Sequence, residues 1–508
     1  MIVSASGVRT PALARWVRAE STATVCLIGA LTALRFITAA HLPLSFDETY
    51  FWLWSKHLSL SYYDHPPLIA LTIRAGTFVF GDTELGVRAC SLLASVLASW
   101  AVWRAAALSI DEAGAGAFAC ALFNATLMAT SQFIVATPDA LVMTAAALLL
   151  LSLAKLQQTG DGRWWLAIAA SLGVAFLSKY TAFFLAGGVG LWCLGAPSGR
   201  RWLRTPWPYA AGVLALACFA PALIWNAAHG WISFKFQFGR VAAGRPTYHY
   251  LLEFILAQAA LASPFILLPA MAGLLRVTKA WREPVPIFAA AALVWPALIY
   301  FALHAVHDRV QGNWPSFLYP ALAILAAWAM TDGLRDTQLS RVSKRLALPS
   351  AAIILAVIYL QCWTGMVPLG KQDPVARITG IGVKAAAEQI GKLASQDKAA
   401  AILTGKYVVT GWLSFYLPKP MTIVQIGDEK RWLEVPQANA ALLNRPLLYV
   451  TQEPQRDLPS VRARFSRVTL QAQIPRRRGE TVLDSFYVYS LSGFHGPALG
   501  RIAYQVPL

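Results

Sequence analysis

The stretch Ser45-FDETYFWLWSKHLSLSYYDHP-Pro67 sets three acids, two histidines, one lysine and seven aromatic residues between two apolar runs. It cannot cross a bilayer, because Asp47, Glu48, Lys56 and Asp64 would each cost a few kcal/mol at the membrane centre. It therefore reads as a loop on the membrane surface, where membrane enzymes often carry their chemistry. Pro43 and Ser45 end the run before it, and Asp47 falls where a new helix can begin. Phe51, Trp52, Trp54 and Leu58 then recur at spacings suited to an amphipathic interfacial helix. Pro66-Pro67 stops the chain before Leu68–Phe80, which is short for a span, and Gly81-Asp82 turns it into the next long run.

Outward from this loop the chain is apolar. Of its 508 residues 57% are hydrophobic and only 13% charged, too few charges to clothe a soluble protein of this size. Runs near the roughly 20 residues a spanning helix needs lie at 22–40, 84–107, 114–132, 138–156, 206–227, 251–275, 284–303, 315–332 and 346–366. Residues 164–196 read as two short helices parted by a polar turn at Ser178-Lys179-Tyr180. The expectation is a polytopic α-helical membrane protein with about 11–13 transmembrane helices.

The net charge of +18 would suit nucleic acid, but the basic residues cluster in short segments such as Arg200–Arg204, Arg276–Arg282 and Arg335–Arg345. That pattern follows the positive-inside rule, so membrane lipids are the expected bulk partner and nucleic acid is not. With the N-terminus in the cytoplasm, these clusters fall inside, while loops 41–83, 228–250 and 304–314 fall outside with everything after about 367. Arg9, Arg15 and Arg18 precede the first run, which is expected to stay as an uncleaved helix. The six cysteines sit singly in or beside apolar runs, without disulfide or CxxC spacing.

After Gly370 short Val, Ile and Tyr runs at Ala401–Leu403, Met421–Ile426, Leu447–Thr451 and Phe486–Leu491 alternate with Pro, Gly and charges. Helical candidates at Ala385–Ala394 and Tyr407–Tyr416 complete the pattern of a small α/β domain outside the membrane. The division is thus 1–366 for the membrane part and 367–508 for the periplasmic α/β domain.

Several residues could carry chemistry. Asp47-Glu48 either complement the N-terminal dipole of the helix they open or supply a general base held near lipid. His65 before Pro66-Pro67 is a rigid turn or an anion contact, with Tyr63 and Asp64 beside it. Asp139 begins a helix behind Pro138 on the same side as Asp47. Lys179 snorkels to the interface or pairs with an anion such as a lipid-linked phosphate. In 304–315, HAVHDRVQGNWP, His304, His307 and Asp308 have weak metal-ligand spacing, and Arg309 can fork onto a phosphate. Lys235–Tyr250 adds basic and aromatic residues on the same side. No GxGxxG, P-loop, HExxH or GxSxG motif occurs, so nucleotide chemistry has no support.

FDETYFWLWS, YYDHPPL, GDTELGVR, ATPDALVM, GVAFLSKYTAFFL and QGNWPSFLYPALAIL, in that order, resemble the polytopic glycosyltransferases of the GT-C fold. The bacterial branch related to protein O-mannosyltransferases and to the aminoarabinose transferases of lipid A is the most similar. The resemblance covers about 1–335, and more loosely the C-terminal domain through LTGKYVVTGWLSFYLP. It implies a sugar donor on polyprenyl phosphate and, as acceptor, lipid A or another lipopolysaccharide component at the periplasmic face of the bacterial inner membrane. It also implies Asp47 as general base, supported by Glu48, with Asp139 near the acceptor. Lys179, Arg309, His65 and Tyr63 would face the donor phosphate, and Asp64, His304, His307 and Asp308 would belong to the acceptor side or to loop structure. Relatives that transfer aminoarabinose carry lysine where this chain has His65, which points to a different sugar; galacturonate fits the cations of the outer loops. No cofactor is demanded, and a divalent metal is left open. A protein hydroxyl is the alternative acceptor. A lipid flippase, the reading from another class, would show an inverted repeat, and none is visible.

Overall fold

The computed structural model describes residues 11–239, 246–282, 286–418 and 420–505. Arg9, residues 240–245 of the Lys235–Tyr250 segment and residues 284–285 at the head of the 284–303 run lie outside them.

The membrane part is a bundle of helices α1 (Pro11–His41), α2 (Phe46–Lys56), α3 (Leu68–Phe80), α4 (Glu84–Ser109), α5 (Ala115–Ala125), α6 (Leu127–Ile134), α7 (Pro138–Thr159), α8 (Trp164–Ser178) and α9 (Ala182–Gly195). It continues through α10 (Pro197–Arg200), α11 (Trp207–Ala228), α12 (Ile232–Gly239), α13 (His249–Ala262), α14 (Pro264–Lys279), α15 (Phe288–His304), α16 (Tyr319–Trp328) and α17 (Gln338–Thr364). Among the described residues five helices are long and apolar enough to cross a membrane alone: Glu20–His41 of α1, then α4, α7, α11 and α17. Three bent pairs and the shorter apolar α3, α8 and α15 account for most other apolar runs.

Two runs expected to be single spans are broken. The 114–132 run bends by 67° where Thr126 caps α6, its hydroxyl accepting from the Ala129 amide. The 251–275 run turns by 110° at Ser263, whose positive φ and following Pro264 cannot continue a helix. Helix α7 is the most enclosed of the long helices and carries Asp139 in its first turn. Helices approach closely at small residues: a Cβ on Gly188 of α9 would meet the backbone of Leu293 in α15.

The C-terminal domain adds α18 (Pro374–Ile378), α19 (Val383–Gln396), α20 (Tyr407–Tyr416), α21 (Ala440–Leu443) and α22 (Pro454–Arg462) to strands β1 (Ala401–Thr404), β2 (Ile423–Gln425), β3 (Leu447–Thr451), β4 (Phe465–Arg478), β5 (Thr481–Phe494) and β6 (Arg501–Tyr504). They form one sheet in the order β4-β5-β3-β1-β2-β6, parallel in its centre and antiparallel at both edges. The long β4–β5 hairpin turns at Gly479, which takes a positive φ. Its arginines reach back to the bundle connection. Arg476 binds the carbonyls of Ala376, Thr379 and Ile381 as well as Asp484, and Arg478 pairs with Asp373.

Helix α2 is not an amphipathic helix on a membrane surface. Glu48 through Ser55 are all buried, because α20 lies directly across α2 and covers the side that an interfacial helix would leave open. The aromatic residues read as a lipid-facing stripe instead pack inward: Trp52 meets Phe415 and Tyr504, and Trp54 stacks on Tyr62 with centroids 4.2 Å apart.

Candidate active site

Ser45 and Glu48 fix the start of α2. The Ser45 hydroxyl accepts from the Glu48 amide at 3.2 Å, and the Glu48 carboxylate accepts from the Ser45 amide at 2.8 Å, a reciprocal cap. Glu48 also takes two guanidinium bonds from Arg88 at 2.6 and 2.7 Å and the Ala136 amide at 2.9 Å. Arg88 in turn binds the carbonyls of Ala39 and Leu42. Neither side chain touches solvent, so the two charges are affordable only as a pair. Of the two functions open to the acidic pair, Glu48 performs the structural one. Asp47, one residue earlier on the helix, faces the other way.

It faces a cavity of about 670 Å³. The walls come from α2 (Asp47, Tyr50, Phe51), Asp64-His65, Thr137–Asp139, Lys179–Thr181, α12, the end of α15 with His304, and Gln311, Asn313 and Trp314. Tyr407 and Arg431 of the C-terminal domain close one side. The Tyr407 hydroxyl donates to Asp47 at 3.3 Å. Burial and the nearby Asp64 carboxylate push the Asp47 carboxyl up to about 7, against the opposing pull of Tyr407 and Arg431. A carboxyl poised there can both hold and release a proton at neutral pH.

Asp64 accepts from the Tyr50 hydroxyl at 2.8 Å and from Arg431 at 2.5 Å. Arg431 is oriented by Asp428 at 2.6 Å, and its guanidinium lies 4.5 Å over the Tyr407 ring. Both oxygens of Asp139 are engaged as well. Lys179 donates at 2.8 Å, Ser316 at 2.5 Å and Asn313 at 3.0 Å, so this acid braces three segments of the wall.

The described chain superposes on crystal structures of ArnT from Cupriavidus metallidurans, apo and bound to undecaprenyl phosphate, each with a TM-score of 0.62. Those alignments cover 92% of this chain and 98% of ArnT at 17% and 16% identity. The fold is GT-C. Within this GT-C chain, residues 64–225 match the family model of dolichyl-phosphate-mannose-protein mannosyltransferase. A lipid A galacturonosyltransferase, RgtD of Rhizobium johnstonii, is 26% identical over an alignment of 303 residues that covers 56% of this chain. The match spans 60% of the length of RgtD.

In this GT-C cavity the structure gathers Asp47, Asp64, His65, Asp139, Lys179 and His304. Glu48 is not among the walls. Tyr63 lies behind them, its ring against Phe236 and beneath Lys430 and Arg431. Arg309, expected in the donor-phosphate set, is exposed, bound to Glu253 of α13, and outside the cavity. The chain turns at the end of α15, which leaves His304 inside and carries His307, Asp308 and Arg309 outward. His307 is exposed with its ring on the Leu303 carbonyl, and Asp308 accepts the Arg309 amide. His304, His307 and Asp308 therefore do not converge as a ligand set, and among the described residues no three His, Cys, Asp or Glu side chains do.

Two cavity residues escaped the sequence reading. Tyr407 stood inside the LTGKYVVTGW motif without a role, and Arg431 was not singled out at all. Only the docking of the C-terminal domain gives either a site.

Proposed function

We propose that this protein is a glycosyltransferase of the bacterial inner membrane, moving a sugar from polyprenyl phosphate to lipid A or another lipopolysaccharide component at the periplasmic face. The observation that carries the proposal is Asp47, a carboxyl poised near neutrality on a rigid mount, inside a cavity that also holds cationic side chains. Asp47 takes the proton from the acceptor oxygen as that oxygen forms its bond to the anomeric carbon of the sugar. The bond between that carbon and the phosphate oxygen breaks, and its electron pair leaves with polyprenyl phosphate. Lys179 lines the same cavity and supplies positive charge for the departing phosphate, with His65 beside it as a hydrogen-bonding group. Phe183, Phe184 and Phe234 offer apolar wall to the first isoprene units.

The undecaprenyl phosphate bound by ArnT, and the galacturonosyl transfer to lipid A in the name of RgtD, support this choice of donor, acceptor and a uronic acid sugar. A protein hydroxyl as acceptor is the second reading, favoured by the mannosyltransferase family model over 64–225. The test is transfer by the purified protein from a polyprenyl-phosphate sugar to lipid A, followed by mass spectrometry of the lipid. Wild-type protein should add one glycosyl unit, and Asp47→Asn should reduce the rate by at least 100-fold, the scale of general-base catalysis. Undiminished transfer by Asp47→Asn removes Asp47 from the mechanism.

A further inference from the structure

We infer that Arg431 is the residue that reads the acceptor, and that it does so by binding an oxyanion next to the oxygen that reacts. This rests on the glycosyltransfer proposed above and adds to it the chemical class of the acceptor.

The position comes first. The acceptor oxygen must come within hydrogen-bond reach of the base, and Arg431 and Asp47 share one neighbour: Tyr407 donates to Asp47 and carries the Arg431 guanidinium 4.5 Å above its ring. Arg431 therefore flanks the acceptor's place, whereas Lys179 is paired with Asp139.

The geometry of the guanidinium comes next. Tyr50, Tyr63 and Tyr407 all lie within 5.7 Å of its central carbon, and Asp428 holds its Nε. Packed on aromatic rings and fixed at one edge, the planar fork presents its remaining donors in set directions, which suits a carboxylate or a phosphate.

One of those donors now meets the Asp64 carboxylate. Asp64 has a second donor in the Tyr50 hydroxyl at 2.8 Å, so it keeps a partner if Arg431 turns to an arriving anion. Its carboxylate thus marks the place that an oxyanion of the acceptor takes when bound. A neutral protein hydroxyl would offer nothing to replace it. A guanidinium on the rim is also supplied by the C-terminal domain and not by the membrane bundle, so acceptor choice and base are built by different parts of the chain.

Two sources of the oxyanion share this chemistry, a phosphate on the lipid and a carboxylate on a sugar attached to it. The experiment uses the full-length protein, one polyprenyl-phosphate sugar donor and three acceptors: bis-phosphorylated lipid A, the same lipid dephosphorylated, and the dephosphorylated lipid bearing an acidic sugar. Wild type should show an acceptor KM roughly 10- to 100-fold lower for whichever anionic form is read than for the neutral one, the worth of one charge-assisted hydrogen bond. Arg431→Ala should erase that difference while leaving the donor KM in place, and Arg431→Lys should restore part of it. The phosphate and carboxylate arms tell the two sources apart. Equal KM for all three acceptors with wild type overturns the inference even if no variant folds. So does an Arg431→Ala defect that falls on the donor KM, or equally on the neutral acceptor. Absence of transfer to any acceptor by wild type counts instead against the glycosyltransfer itself.

Discussion

The state of Asp47 should be visible in the pH profile. Its carboxyl is pushed from the ordinary 3.8 to about 7, a change of about 3 pH units, or roughly 4 kcal/mol against the charged form. Only the carboxylate can accept a proton from the acceptor. The rate should therefore rise with pH and level off above about 7, and at pH 6 about a tenth of the molecules carry the active form. Two substitutions should move this limb in opposite directions. Asp64→Asn removes a neighbouring negative charge that raises the value, so the limb should shift to lower pH. Tyr407→Phe removes the hydroxyl that stabilises the charged form, so the limb should shift upward. The assay is kcat/KM for sugar transfer between pH 5.5 and 8.5 at fixed ionic strength. A profile flat across that range, or two variants that shift the same way, would refute the assignment. The same shift has a stability side: the folded protein holds a proton that the unfolded chain releases above about 3.8, so this site costs stability progressively as pH rises toward 7. Asp47→Asn should accordingly melt higher than wild type at pH 8 while losing transfer.

Glu48→Gln leaves Arg88 buried without its counter-charge and should destabilise the protein by about 3–5 kcal/mol, read as a lower melting temperature in detergent. An unchanged melting temperature would contradict the bracing role given to Glu48. Glu434 presents a different case. Both its carboxylate oxygens are buried without a hydrogen-bond partner among the described residues, and burial pushes its value up to about 8. Its folded form keeps a proton that the unfolded chain loses near 4.5, so stability drains away as pH climbs from there to 8. Glu434→Gln should abolish that loss and exceed wild type by roughly 5 kcal/mol at pH 8.5, with little difference near pH 4.5. Parallel melting curves across pH would exclude it.

What could be read beforehand was what local pattern controls. Apolar length exposed the membrane spans, the polar break at Lys179 separated α8 from α9, and alternating short runs marked β1, β3 and the helix Tyr407–Tyr416. The bends at Thr126 and Ser263 were harder, since apolar length continues through them; Ser263-Pro264 carried a signal that the run of hydrophobic residues obscured. Strand β4 was hidden because QIPRRRG reads as a charged break, yet Arg476 and Arg478 are inward-facing residues with carbonyls and Asp373 waiting for them. At the site, the acidic pair was found but not its division of labour, which depends on Arg88, forty residues away. Arg309 was favoured because its guanidinium can fork onto a phosphate, yet the turn at the end of α15 leaves it on Glu253, outside the cavity. Arg431 is a tertiary accident from the viewpoint of its own neighbours.

The ties at either side of the C-terminal domain bear on how substrates arrive. Raising the sheet away from the bundle would strip Arg431 from Asp64 and Tyr407 from Asp47 at one margin, and Arg478 from Asp373 at the other. The domain is in this sense a ceiling and not a hinged cover. Under the glycosyltransfer proposed above, a substrate would therefore have to reach the acids with this domain still in place, and not by its lifting away.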